Sequence, residues 1–233
     1  MTVYFIYIDY VFEEINKNLQ EQAQTIYRKF FLSNNTRPGT IADISLNVTD
    51  GVHNTVQDDP NGTYLLLSCK NIKGGHLITS SNERTINKET FNKIRKRTRL
   101  SKGDILLSSV GTIGEVMFLN TDPENYEFQR SVAIIKPNTE KVSSYYVYEA
   151  LVSQKAQIIN AAHGAVQQCL FIADIIDLPI GIPSQKRLHE FNTIVEPMFN
   201  AITSIEIESA KLALLRNTLL PRLMSGELNL SGI

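Results

Sequence analysis

Apolar positions along this chain follow two periods. From Glu13 to Leu32 they fall at Ile15, Leu19, Ala23, Ile26 and Phe30. Gaps of three and four residues place these side chains on one stripe of an α-helix. Asn34, Asn35, Pro38 and Gly39 end the pattern. Met1–Phe12 is aromatic and apolar but broken by Asp9, and it reads as a short strand or packing segment. It lacks the basic start and small-residue cleavage site of a signal peptide.

From Thr40 to Ile182 the pattern is mixed. Short β-like runs stand at Tyr64–Leu67, Asp104–Val110, Glu115–Leu119 and Ser131–Lys136. Turn formers separate them: Asp59-Pro60-Asn61-Gly62, Gly74-Gly75, Gly111 to Gly114, and Asp122-Pro123. A helical stretch over Ser144–Asn160 interrupts them, with Val147, Ala150, Leu151 and Ile158 as its apolar side. This predicts one α+β domain of roughly 140 residues.

The last part is helical again. Pro179 and Pro183 punctuate its start, and a short helix is predicted over Ser184–Val195. Proline suits a first helical turn better than an interior, so a second helix is expected to begin at Pro197. Phe191, Val195, Met198, Ile202, Ile205, Ser209, Leu212, Arg216 and Leu219 alternate by four and three, the spacing of a coiled-coil seam, and Ser225-Gly226 supplies a stop. A helix of about 28 residues is roughly 40 Å long, which suits a strut better than a cover for one domain. The simpler alternative, a surface helix docked on its own domain, stays open.

Composition narrows the class. Hydrophobic residues make up 42% of the 233, enough for a core, and no run of apolar residues is long enough to span a membrane. Cys69 and Cys169 lie far apart with no CxxC pattern, which predicts buried thiols in a reducing cytoplasm and no zinc site. The scattered His53, His76, His163 and His189 form no ligand cluster, so no metal and no cofactor is expected.

The net charge of −1 argues mildly against a nucleic-acid partner, but its distribution points the other way. Between Lys70 and Lys102 stand ten basic residues against Glu83 and Glu89, a local +8. The basic set is Lys70, Lys73, Arg84, Lys88, Lys93, Arg95, Lys96, Arg97, Arg99 and Lys102. A phosphate backbone senses such a patch and not the average.

Catalytic patterns are missing. The chain has no GxxxxGK[ST] loop, no GxGxxG, no GxSxG and no HExxH. Asp122-Pro123-Glu124 is the nearest approach to a clustered-carboxylate nuclease site, and it reads better as a polar turn. The expectation is a protein that is not an enzyme.

Five segments in order resemble the specificity subunits of type I restriction-modification systems. They are YLLLSCKNIKGGHL (Tyr64–Leu77), LSKGDILLSSVGTIGEV (Leu100–Val116), FQRSVAIIKPN (Phe128–Asn138), HGAVQQCLFIADIIDLPIGIPSQKRL (His163–Leu188) and LLRNTLLPRLMSGEL (Leu214–Leu228). The resemblance covers about Glu13 to Leu228. It departs in having one recognition domain where the family usually has two, and a shorter linker at Ile182–Gln185. Glu13–Phe31 looks like the tail of the family's central helix, so the chain reads as the second half of a full subunit or as a self-standing half.

The resemblance implies three parts: an N-terminal helix at 1–33, a target recognition domain with a mostly antiparallel sheet at 40–182, and a spacing and assembly helix at 184–228. It implies double-stranded DNA as ligand, and modification (methyltransferase) and restriction subunits as partners. A homodimer, or pairing with another half-subunit, would restore the two-domain layout. Candidate DNA contacts are Lys70, Asn71, Lys73, Lys93, Arg95, Lys96, Arg97, Arg99, Ser109, Thr112, Gln129, Arg130, Gln167 and Gln168. Arg, Gln and Asn carry the paired donors and acceptors that base edges require, while cations hold phosphates. Candidate assembly residues are Ile15, Leu19, Ile26, Phe30, Met198, Ile202, Ile205, Leu212 and Leu219. Two other readings stay open: a stand-alone DNA-binding regulator or decoy, and an adaptor that binds protein through its helices.

Overall fold

The computed structural model describes residues 2–32, 36–164 and 168–225. They divide into two compact units, one of Gln24–Ile194 and one of the described residues before and after it, up to Ala23 and from Val195.

In the larger unit the main sheet is antiparallel. Its strands are β2 (Ser45–Asp50), β10 (Val132–Pro137), β7 (Ile105–Ser108) and β8 (Val116–Phe118), hydrogen-bonded in that order. β7 and the Val132–Ile135 part of β10 are buried throughout, so both read as continuous apolar runs and not as alternating ones. A smaller sheet holds β6 (Thr85–Ile86), β3 (Tyr64–Leu67) and β9 (Tyr126–Phe128), with β9 parallel to β3. The two sheets share a core of Leu67, Ile72, Leu100, Leu106, Met117, Leu119, Phe128, Val132 and Ile134. A short hairpin of β4 (Ile72–Lys73) and β5 (His76–Leu77) projects from it, turning at Gly74 and Gly75, both at positive φ.

Helix α3 (Lys88–Thr98) covers the smaller sheet. Asn87 caps it by accepting from the Thr90 amide at 2.9 Å, and Arg99 ends it at φ 47°. Its buried face is Phe91, Ile94 and Thr98, with Phe91 stacked on Tyr64 at 4.2 Å between ring centroids. No helix is expected here from the sequence. The remaining helices of this unit are α2 (Ile41–Ile44), α4 (Ser144–Ser153), α5 (Lys155–Asn160) and α6 (Ile172–Ile176). The helix expected over Ser144–Asn160 is thus two, interrupted at Gln154.

The unit is closed where the chain enters and leaves it. β1 (Thr36–Thr40) and β11 (Pro179–Pro183) form an antiparallel pair running from Thr36↔Pro183 to Thr40↔Pro179. Gly181 is required here, because a Cβ on it would lie 2.2 Å from Thr36 Oγ1. The Gly181 carbonyl accepts from the Tyr146 hydroxyl. Beside this pair, Tyr27 and Phe31 of α1 (Thr2–Phe31), Tyr146 of α4 and Phe191 of α7 (Gln185–Met224) pack ring against ring, with Phe30 at their edge. Phe31 meets Tyr146 at 4.8 Å and Phe191 at 5.1 Å, both edge-on.

Helix α1 departs from the expected pattern. It begins at Thr2, so the opening segment is helical and not a strand. Among its residues of described burial, Asn16, Ala23, Gln24, Tyr27 and Phe31 are buried, so Ala23 of the expected stripe is kept and the rest of the face lies one residue round. Leu19, Ile26 and Phe30 flank that face half-buried, and Ile15 is exposed. The rotation follows the aromatic packing. Tyr27 and Phe31 have the larger surface to bury, and they carry Gln24 inward, where its amide donates to the Glu149 carbonyl at 3.0 Å.

Helix α7 runs unbroken through Pro197, where a new helix was expected. Pro197 and Thr193, whose carbonyl loses its intrahelical donor, both face solvent, which leaves the freed group open to water while Phe191, Val195, Phe199 and Ile202 lie on the buried face. Along the seam, Met198, Ile205, Ser209, Leu212 and Arg216 are half-buried, and Leu219 is exposed. The helix ends at Met224, and Gly226 of the expected stop lies outside the described residues. No helix among the described residues is long and apolar enough to cross a membrane.

One buried group makes stability depend on pH. Glu149 in α4 is 1% exposed, and one of its carboxyl oxygens has no hydrogen-bond partner. Burial pushes its pKa up to about 8, against a weaker opposing pull from Arg28. The folded state therefore holds a proton that the unfolded chain releases near the ordinary glutamate value. This group's contribution is fully present below that value and is lost as pH rises towards 8. Glu149→Gln is expected to raise the melting temperature at pH 8 and to leave it unchanged at pH 4, as read by thermal unfolding.

Candidate functional site

Four stretches far apart in sequence meet at one rim of the larger unit. The first is the 3₁₀ turn at Cys69–Asn71 with the β4–β5 hairpin. The second is the loop from Ser109 to Glu115, the third the turn Gln129–Ser131 between β9 and β10, and the fourth the bridged pair of His163 and Cys169 with the neighbouring Gln168 and Leu170. Hydrogen bonds join them. The Cys69 amide donates to Ser131 Oγ at 3.1 Å, and Thr112 Oγ1 donates to the Cys69 carbonyl at 3.4 Å. The Ser109 amide donates to Ser131 O at 2.9 Å, and the Leu170 amide to Ser109 O at 2.8 Å. Val110 pairs with Cys169, and Cys169 with His163.

The local chemistry explains the shape. Gly111 and Gly114 sit at φ 75° and 88°, where a side chain would strain the backbone. Ser108 Oγ donates to the Thr112 carbonyl and accepts from the Glu115 amide, so one hydroxyl closes the loop. Glu115 then ties in its neighbours. Its carboxylate accepts from the Gly74 amide at 3.0 Å and pairs with Lys155 of α5, and Lys155 helps hold it below the usual carboxylate range despite partial burial. The sequence reading assigned Glu115 no role, because its two partners lie about 40 residues away on either side.

This rim gathers Lys70, Asn71, Lys73, Ser109, Thr112, Gln129, Arg130 and Gln168, among the residues singled out from sequence. Lys73, Thr112, Arg130 and Gln168 are exposed, and Gln129 is half-buried. Lys70 is exposed and paired with Glu83 at 3.0 Å. Asn71 is buried, its amide donating to Ile78 O and its carbonyl accepting from the Ser68 amide, so its polar atoms are spent inside the turn. Ser109 is also buried and donates to the Arg130 carbonyl. Gln167 lies outside the described residues. Both cysteines are half-buried free thiols, less enclosed than the sequence reading expected.

The second basic group lies on α3, and its members divide by direction. Arg95 points inward. It pairs with the buried Glu127, donates to the Tyr126 carbonyl at 3.0 Å and lies 4.9 Å above the Phe91 ring. Burial pushes the Glu127 carboxyl up, while Arg95 and Thr98 pull it down. Arg97 donates to the Asp50 and Gly51 carbonyls, which ties α3 to the end of β2. Lys88, Lys93, Lys96 and Arg99 are exposed on the outer arc, and their side chains make no ion pair among the described residues. Of the ten cations in the basic window, Lys70, Arg84, Arg95 and Arg97 are matched by acids, so the charge free to meet a ligand is concentrated on that arc together with Lys73 and Lys102.

Comparison with known proteins identifies the class. The family model for the type I restriction modification DNA specificity domain matches residues 49–217, and the chain belongs to that family. Over 184 residues, 76% of this chain and 38% of the relative, it is 27% identical to the type I restriction enzyme EcoBI specificity subunit of Escherichia coli. Over 115 residues, 49% of this chain and 27% of the relative, it is 28% identical to the type I restriction enzyme MjaIX specificity subunit of Methanocaldococcus jannaschii. The crystal structure of the HsdS subunit from Thermoanaerobacter tengcongensis shares the fold, with a TM-score of 0.51 at 13% identity, over 97% of this chain and 56% of that one. The matched part of the chain therefore spans well under half the length of either specificity subunit and just over half of the solved one.

The inward placement of Arg95 has an energetic signature. Removing it strands a buried carboxylate, so Arg95→Ala is expected to cost about 3 kcal/mol in denaturant unfolding. Adding Glu127→Gln should return a large part of that loss. Additive losses in the double variant would show that the two groups do not act as a pair.

Proposed function

We propose that this chain reads double-stranded DNA as the specificity subunit, or half-subunit, of a type I restriction-modification complex, and itself makes and breaks no covalent bond. The observation that carries the reading is the meeting of four separate stretches at one rim with exposed Lys73, Thr112, Arg130 and Gln168, in a chain of this family. Arg130 and Gln168 have the donor and acceptor sets that base edges demand. Lys88, Lys93, Lys96 and Arg99 on the outer arc of α3 supply phosphate contacts, which fix register without reading sequence.

On this reading the helical ends, 1–33 and 184–228, act as spacer and assembly elements beside a recognition domain at 40–182. The half-buried seam from Met198 to Arg216 supplies the surface for it. The modification subunit is then the direct partner, the restriction subunit joins through the complex, and the protein works in the cytoplasm where its DNA is. Pairing with a second copy or another half-subunit would set two such domains side by side. Two copies related by a two-fold axis read two identical half-sites.

Phosphate contacts are tested by their salt dependence. Lys93→Ala/Lys96→Ala is expected to weaken binding to duplex DNA without lowering the melting temperature. It should also reduce the slope of log affinity against log salt by about 1.8, at about 0.9 for each phosphate that is no longer neutralised. An unchanged slope, measured by fluorescence anisotropy over a salt series, would remove α3 from the interface. Failure of the wild-type chain to bind duplex DNA, alone and with a modification subunit, would remove the reading itself.

A further inference from the structure

One exposed ring beside the rim adds no cap bond to the helix it begins. Phe171 follows Leu170, whose amide is bonded to Ser109 of the rim, and it occupies the N-cap of α6. Helix caps favour Ser, Thr, Asp and Asn, whose side chains accept from the first turn. Phenylalanine accepts nothing there, and the structure shows no side-chain cap bond from this position. The ring is nevertheless 57% exposed to solvent, so burial does not compensate for the missing cap. A residue that breaks a local rule while staying exposed is a candidate for a role other than folding.

The ring is also held in place. His163 stacks against it, with centroids 6.0 Å apart and planes at 25°. His163 Nε2 in turn meets Asp174 Oδ1 at 3.0 Å, and the other oxygen of Asp174 accepts from the Phe171 amide at 2.8 Å. One carboxylate thus fixes both the backbone beneath the ring and the partner on its face. The result is a braced apolar surface a few residues from exposed Gln168, on the segment that pairs with the rim loop at Val110. A braced apolar surface beside the rim suits one feature of a base pair edge. The 5-methyl group of thymine is the apolar mark in the major groove, and phenylalanine is among the side chains that contact it.

We propose that Phe171, braced by His163 and Asp174, contacts the thymine methyl group of one T·A pair in the bound site. This rests on the DNA-reading function above and adds a base preference to it. The methyl is worth about a fourfold change in affinity, from the transfer of one buried carbon out of water.

The test begins with selection of bound duplexes from a random library by the intact chain. Each thymidine of the enriched sequence is then replaced singly by deoxyuridine, which removes the methyl alone. The expected result is one position where uracil weakens wild-type binding about fourfold and where Phe171→Ser binds the two duplexes equally. Serine is the better cap, so Phe171→Ser should melt at or above the wild-type temperature, which separates an effect on the methyl from an effect on folding. Equal binding of all uracil duplexes by the wild type would overturn the proposal, as would a thymine preference that survives in Phe171→Ser. In both cases an enriched sequence shows that DNA reading itself stands. If the wild type enriches no sequence, the DNA-reading function falls and this inference falls with it.

Discussion

The packing of Tyr27, Phe31, Tyr146 and Phe191 is the constraint on which the larger unit depends. These rings come from the end of α1, from α4 and from the start of α7, so one cluster fixes three segments that are distant in sequence. Edge-on contacts at these distances add directional preference to plain burial. The cluster sits beside the β1–β11 pair, and the Tyr146 hydroxyl joins the two through Gly181. The rim loops are built on strands held together by the core of Leu67, Leu106, Met117, Phe128 and Ile134, so their geometry is inherited from apolar packing and not from contacts among themselves alone.

The rim and α3 divide the polar work. Inside, Arg95 with Glu127, Lys136 with Asp104 and Ser108 with its loop spend their hydrogen-bonding capacity on holding shape. Outside, Lys93, Lys96, Arg130 and Gln168 keep theirs. The distinction decides which cations face a ligand. A charge count along the chain treats Arg95 and Lys96 alike, although adjacent residues on a helix point about 100° apart and only one of these two faces water.

This explains how much was legible in the sequence. The apolar runs at Tyr64–Leu67, Asp104–Val110, Glu115–Leu119 and Ser131–Lys136 each became a strand, because buried strands are written in consecutive apolar residues. β2 and β1 were missed, since Ser45–Asp50 and Thr36–Thr40 are polar and take their strand character from their partners. α3 was hidden by its own charge, although Asn87 followed by Phe91, Ile94 and Thr98 spells a cap and a buried face. The stripe on α1 is displaced because the expected one leaves out Tyr27 and Phe31, whose rings set the rotation. The rim loops were marked by Gly111, Gly114 and the polar residues near them. That Asn71 turns inward while Gln168 turns outward depends on the tertiary fold and has no local signal.

The β1–β11 pair has a mechanical consequence. Thr36 and Pro183, where the chain comes in from α1 and departs into α7, are opposite one another at the same end of the ladder. A pull applied through both helices therefore opens its hydrogen bonds one at a time, like a zip, and does not load them together in shear. Before the first of them feels that force, Phe31 must part from Phe191. The interlocked rings thus act as the catch on the zip, and the resistance of the larger unit to tension is set by aromatic side chains instead of by backbone pairing.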